Sequence, residues 1–306
     1  MTRRPLTVFA AWLLLAPALF SQQGSAPATL TPDPAIACDA CAEWNAPRQP
    51  FKVFGNTYYV GTMGLSSVLI AGDQGLILID VALPQSAPLV DANVKALGFQ
   101  TKDIKFILTS HAHYDHVGGV RSMQRFTRAT VAGSARTVEA LALGHPTADD
   151  PQFGTDPSVS FPSITSSVRA VKDGETLRLG NLAVTAHYTP GHTPGATSWT
   201  WQSCEGSRCL SMAYVDSLTS VSNDGFKFTA QPGLVDSFRK SLRTAGALPC
   251  DVLLTTHPSA SGMDEKVKGR AAKSGADPFI NAGACKALEN TSLGALEKRV
   301  KDESAK

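Results

Sequence analysis

Four metal-capable side chains crowd the six-residue stretch His111-Ala112-His113-Tyr114-Asp115-His116. Imidazole nitrogens and carboxylate oxygens are ligands suited to a borderline cation such as zinc. The stretch follows an apolar run at 104–109 and precedes Val117-Gly118-Gly119, which places it on a turn at a strand end. Alternate residues of an extended segment project to the same side, so His111 and His113 come together. The competing reading is a solvated histidine-rich loop. Fixed spacing, the strand in front and the lack of repetition weigh against it.

Two further histidines have turn contexts of their own. His192 lies in Thr189-Pro190-Gly191-His192-Thr193-Pro194-Gly195, where two Pro-Gly pairs lock a tight turn after a strand. His257 ends the apolar run 252–256, and Pro258 stops that strand at once. Taken singly, each would be a structural turn histidine. Beside the tract they become candidate ligands, because three ligands per metal require donors from several strand ends. His145, in a Gly-His-Pro turn, and His187, within a strand, have no partner motif and are assigned no role.

The elements that must position these groups alternate in type. Strand-like runs occur at 52–60, 67–71, 76–79, 104–109, 182–189, 197–201, 209–215 and 252–256, and helical patterns at 86–97, 117–125, 135–143, 234–245 and 284–300. This is an α/β pattern whose sheets need helical cover. The stretch 149–165, rich in Pro, Ser and Asp, is the best candidate for a long functional loop.

The chain has 306 residues, 43% of them hydrophobic and 18% charged, which is ordinary globular material. A positive start, Met1 to Arg4, and an apolar run at 6–20 followed by small and polar residues read as an export signal, expected over 1–24, with the folded domain over 36–303. The other reading of that segment is an uncleaved anchor; a cleaved signal leaves no stable membrane span. Loss of Arg3 and Arg4 from the 28 basic side chains would leave 26 against 26 acidic ones, and a neutral chain without a basic patch argues against nucleic acid as a partner. Six cysteines suit disulfides in an exported, periplasmic or secreted protein, grouped as Cys38 with Cys41, Cys204 with Cys209 and Cys250 with Cys285. A zinc ribbon built from them lacks a second C-x-x-C. Sequence alone leaves the connectivity open.

The H-x-H-x-D-H tract with the Pro-Gly-His turn resembles the metallo-β-lactamase superfamily. Within it, Ala46-Pro47, Gly55-Asn56-Thr57-Tyr58-Tyr59-Val60-Gly61-Thr62, His192-Thr193-Pro194-Gly195 with Trp199-Thr200-Trp201, Val215-Asp216-Ser217-Leu218 and Cys250-Asp251-Val252-Leu253-Leu254-Thr255 resemble the third subclass of class B β-lactamases. The resemblance implies a four-layer αββα sandwich with two Zn2+ ions at one edge of the sheets. His111, His113 and His192 would bind the first, and Asp115, His116 and His257 the second. No cysteine ligand is present: the first subclass has one where this chain has Ser217, and His116 takes over its role.

The same resemblance implies a metal-bound hydroxide attacking the β-lactam amide of penicillins, cephalosporins and carbapenems, with Asp115 as the catalytic carboxylate that orients it. Ser217 and Thr219 match positions that contact the substrate carboxylate, and Gln152 and Phe153 lie in the loop expected to border the cleft. Asp80, at the end of the 76–79 run, is expected to fix a ligand histidine, or else to be a turn aspartate. A monomer is expected. Two other functions stay open: a glyoxalase-like thioesterase or lactonase with Asp216 bridging the metals, and a secreted zinc-binding protein without catalysis.

Overall fold

A computed structural model describes residues 1–2, 29–154, 160–272 and 275–305; the expected export signal lies largely outside the described residues. The chain runs α1 (Cys41–Trp44), β1 (Phe51–Phe54), β2 (Thr57–Tyr59), β3 (Val68–Gly72), β4 (Gly75–Ile79), α2 (Ala87–Ala96), β5 (Ile104–Leu108), α3 (Tyr114–Val117), α4 (Val120–Thr127), β6 (Thr130–Ser134) and α5 (Ala135–Leu143). It continues through β7 (Val168–Val171), β8 (Thr176–Leu179), β9 (Leu182–Tyr188), β10 (Thr197–Glu205), β11 (Arg208–Val215), α6 (Leu234–Gly246), β12 (Val252–Thr255), α7 (Met263–Ala271) and α8 (Ala284–Ser304).

The strands form two sheets, one ordered β1-β2-β3-β4-β5-β6-β7 and the other β12-β11-β10-β9-β8. Period-2 alternation within the apolar strands builds the layers. In β4, Ile77 and Ile79 face the second sheet, where Trp199, Trp201, Met212, Tyr214, Val252 and Leu254 complete the central core. Leu76 and Leu78 point the other way, onto Val90, Val94, Val120, Met123 and Leu141 of the first helical layer. On the far side, Ala213, Val215 and Leu253 pack against Phe238, Leu242 and Leu296 of α6 and α8. Helix, sheet, sheet, helix is the αββα sandwich, and β4 with β5 and β11 with β12 run parallel, so their carboxyl ends meet at one edge.

Two expected elements differ. The run at 52–60 is a hairpin and not one strand: Gly55 at φ 53° and Asn56 turn the chain between β1 and β2. The helix at 117–125 is broken at Gly118-Gly119 into α3 and α4. A Cβ on Gly119 would stand 2.5 Å from the Val81 carbonyl oxygen. The cysteines are joined as Cys38–Cys41, Cys204–Cys209 and Cys250–Cys285. Among the described residues no helix is long and apolar enough to cross a membrane.

Candidate metal centre

After β5 the chain bends at Ser110 and is extended at His113, with φ −105° and ψ 154°, and α3 then begins. His111 and His113 therefore project together, ring centroids 4.7 Å apart, while Asp115 and His116 come from the turn of α3. Asp80 supports this strand end. Its φ of 55° is a left-handed geometry that aspartate tolerates. Its carboxylate accepts hydrogen bonds from Ser110 N at 2.8 Å, Ser110 Oγ at 2.6 Å and Tyr214 OH at 2.8 Å. His116 Nδ1 lies 3.9 Å away, beyond hydrogen-bond distance, so Asp80 holds the backbone before His111 and contacts no ligand ring by a hydrogen bond.

His192 arrives from the β9–β10 turn. Glycine is required at 191, where a Cβ would stand 2.1 Å from the Phe238 ring. Ser241 Oγ donates to Pro190 O at 2.6 Å, and Gly195 O accepts from Ser134 Oγ at 2.7 Å and Thr137 Oγ1 at 2.9 Å, which fixes both ends of the turn. His257 follows β12 with its ring 5.3 Å from that of Trp44 in α1.

Ligand atoms of His111, His113 and His192 lie within 4.8 Å of one another, as do those of His111, Asp115 and His116. His257 joins the second set: Asp115 Oδ2 is 3.0 Å from His116 Nε2 and 3.3 Å from His257 Nε2. Each ring of the first set is held from behind through its other nitrogen. His111 Nδ1 is 2.6 Å from Asp216 Oδ1, His113 Nε2 is 3.2 Å from both oxygens of Asp150, and His192 Nδ1 is 3.0 Å from Thr219 O. The nitrogens left facing inward are His111 Nε2, His113 Nδ1 and His192 Nε2.

His111 Nε2 is buried without a hydrogen-bond partner. Gln152 Nε2 lies 3.5 Å from His113 Nδ1 and 3.4 Å from His192 Nε2, so those two nitrogens face a common point. Burial, reinforced by the neighbouring imidazoles, holds the pKa of His111 well below the usual histidine range, and burial pushes that of His192 down to about 3. Neutral imidazole is the metal-binding form. Burial alone would raise the pKa of Asp115, but His116 and His257 outweigh it and hold the carboxyl well below its ordinary value. An orphaned buried nitrogen, the neutral rings of His111 and His192 and the anionic carboxylate of Asp115 fit a divalent cation, and five imidazoles with one carboxylate suit zinc.

Ser217 sits at the end of β11, its Oγ 2.8 Å from Thr256 Oγ1. The hydroxyl of Thr219 is 3.1 Å from His192 Nδ1. Gln152 stands over the cluster, and Phe153 is 40% exposed beside it, ring centroid 6.1 Å from that of His145. Asp216 approaches the ring of His111 from outside the two ligand sets. His145 bonds Pro146 O and His187 bonds Thr200 Oγ1, and neither is among the convergent ligand groups. Sequence reasoning missed Asp150 and Trp44; Asp150 adjoins the Gln152–Phe153 pair of the loop already singled out, which was the available signal.

The profile of the metallo-β-lactamase superfamily matches residues 60–257. Among curated proteins, the chain is 33% identical over 147 residues to the uncharacterized protein YobT of Bacillus subtilis and 32% identical over 142 residues to a ribonuclease of Thermus thermophilus. Those matches cover 47% and 44% of this chain, but only 59% and 31% of the relatives' own lengths. Solved structures match far more fully. Rm3 metallo-β-lactamase superposes with a TM-score of 0.84 at 46% identity, covering 88% of this chain and 99% of that one. MEM-A1, a subclass B3 metallo-β-lactamase from a soil metagenome library, gives 0.81 at 43% identity, with 86% and 99% covered. BJP-1, a subclass B3 enzyme of Bradyrhizobium japonicum, gives 0.79 at 34%, with 87% and 98% covered. With the sandwich, the clustered histidines and Asp115 and these likenesses in place, the chain belongs to the metallo-β-lactamase superfamily.

Proposed function

We propose that this protein is an exported, two-zinc β-lactamase that opens the amide ring of penicillins, cephalosporins and carbapenems and thereby confers antibiotic resistance. The observation that carries this reading is the convergence of His111, His113 and His192 beside Asp115, His116 and His257 in a chain 46% identical to Rm3 metallo-β-lactamase. A signal-like leader and three disulfides favour the periplasm or the outside of the cell.

When bound, the metal pair supplies Lewis-acid polarisation of the lactam carbonyl and a water acidified toward neutral pH. The first three histidines would hold one ion, and Asp115, His116 and His257 the other. Asp115, kept anionic by its imidazole neighbours, orients the attacking water and takes its proton for transfer to the departing ring nitrogen. Ser217 and Thr219 seat the substrate carboxylate through their hydroxyls, while Gln152 and Phe153 wall the cleft. No side-chain nucleophile is needed.

The test compares hydrolysis of a chromogenic cephalosporin with that of a thioester and a lactone, before and after chelation. Chelator-sensitive turnover of the cephalosporin supports the reading, whereas preference for the thioester or lactone overturns it.

A further inference from the structure

Behind the ligand histidines lies a cavity of about 10 Å³, lined by Ala112, Arg136, Thr137, Thr147, Asp150 and Thr193 among others. About 10–15 Å³ is the space one water molecule needs, provided two to four polar groups can bond it. The cavity touches both ligand-bearing segments of the first set. Thr193 follows His192 in the Pro-Gly turn, and Asp150 backs His113.

Thr193 is 3% exposed, and its Oγ1 is buried with no hydrogen-bond partner. Leaving a buried hydroxyl unbonded costs about 1–3 kcal/mol. The neighbouring polar groups bond one another, and none stands within hydrogen-bond distance of Thr193 Oγ1. Thr137 Oγ1 donates to Gly195 O at 2.9 Å, and Thr147 Oγ1 donates to Asp149 Oδ1 at 2.7 Å. Arg136 pairs with Glu139 and Asp149. Asp150 Oδ1 accepts from Gln152 N at 2.8 Å, and both its oxygens stand 3.2 Å from His113 Nε2. A carboxylate has about four lone-pair sites, so Asp150 keeps acceptor capacity.

We propose that this cavity is a binding site for one structural water, which accepts from or donates to Thr193 Oγ1 and donates to the Asp150 carboxylate. The water joins the His192 turn to the aspartate that orients His113. Thr193 and Asp150 are thus positioning residues: Asp150 sets the direction of His113 Nδ1, and Thr193, through the water, holds Asp150 in register with His192. The site lies outside the metal cluster, and only its consequence for zinc rests on the metal reading above.

High-resolution crystal structures of metal-free wild type, Thr193→Val and Thr193→Ser test the water directly. Density within hydrogen-bond reach of Thr193 Oγ1 and Asp150 is expected in wild type and Thr193→Ser, and none in Thr193→Val. A wild-type cavity without density, with the threonine hydroxyl bonded to protein instead, overturns the site. Competition with a chromophoric chelator tests the positioning role. Loss of an outer partner of a metal-binding histidine lowers affinity by about 10–100-fold. The affinity for the zinc equivalent held by His111, His113 and His192 should fall toward the lower end of that range in Thr193→Val, fall further in Asp150→Asn, and return to the wild-type value in Thr193→Ser. Unchanged affinity in Thr193→Val removes the positioning role. If wild type binds no zinc, the metal reading fails while the density still decides the water. If Thr193→Val does not fold, the wild-type and Thr193→Ser densities decide it alone.

Discussion

Asp216 Oδ1 stands 2.6 Å from His111 Nδ1, both side chains fully enclosed, and this contact directs His111 Nε2 into the ligand cluster. Asp216 thereby contacts the ring and belongs to neither group of convergent ligand atoms. An amide at this position keeps an acceptor for the ring nitrogen but cannot supply the carboxylate oxygen that makes the imidazole a stronger donor to metal. Asp216→Asn is therefore expected to retain two zinc ions at saturation while binding them about 10–100-fold more weakly. Titration of apo-protein measures this. Loss of an entire zinc equivalent at saturating metal would instead mark Asp216 as a direct ligand.

The six convergent groups make a second set of expectations. Chelation should abolish hydrolysis, and zinc should restore it, since in the proposed reaction the nucleophile is a metal-held water and not a side chain. His192→Ala and His257→Ala should each lower metal content below two per chain. His145→Ala should not, because His145 is turned to Pro146 O and belongs to neither ligand set. Metal analysis of purified variants checks the order; equal losses at all three positions would undo the ligand assignment.

The site was legible in sequence where ligands are local and obscure where their supports are distant. The tract at 111–116 carries its spacing and its strand on its face, and Pro-Gly pairs announce the His192 turn. Asp150 bonds His113 across 37 residues, and no local pattern encodes that contact. The apolar runs of β3, β4, β5, β11 and β12 were readable because most of their residues are buried. Strands β6, β7 and β8 escaped notice: β6 carries Gly133 and Ser134, and β7 and β8 are four-residue strands at sheet edges with exposed Arg169 and Arg178. Trp44 reaches His257 from a four-residue helix, too short to show periodicity.

The Cys250–Cys285 bridge closes a sequence separation of 35 and ties the start of α8 to the segment that leads through β12 to His257. By chain entropy a loop of this length contributes about 3–4 kcal/mol, through restriction of the unfolded chain. A Cys250→Ser, Cys285→Ser double variant should lose stability of that order in denaturant titrations. Its zinc stoichiometry should persist below the transition, because neither cysteine is a ligand. Undiminished stability would show that strain in the bridge cancels the entropic gain.

Ser217 bonds Thr256 and lies one residue beyond Asp216. If it seats a substrate carboxylate, its removal costs one charge-assisted hydrogen bond, about 1.5–3 kcal/mol. Ser217→Ala should therefore raise KM by about tenfold or more with kcat largely kept, since the contact is made in ground and transition states alike. Metal content should not change. Steady-state kinetics on one penicillin and one carbapenem separate the cases: a fall in kcat at constant KM would place Ser217 in the chemistry, not in binding.

His187 gives the fold an acid-sensitive point outside the candidate metal centre. Burial lowers its pKa from the usual 6.5, a shift that Asp173 only partly opposes, and its Nε2 meets Thr200 Oγ1 at 2.8 Å. The unfolded chain therefore binds a proton at a pH where the folded chain does not. The stability this neutral histidine contributes is complete above about pH 6.5 and is lost progressively as pH falls toward the lower folded-state pKa. Gln at this position keeps a polar partner for Thr200 and cannot titrate. The wild-type unfolding midpoint in urea should fall between pH 7.5 and pH 5.5, and His187→Gln should fall less over the same interval. Both measurements are best made on metal-free protein, where zinc release cannot mimic the effect. Parallel pH profiles for the two proteins would assign the acid sensitivity to other groups.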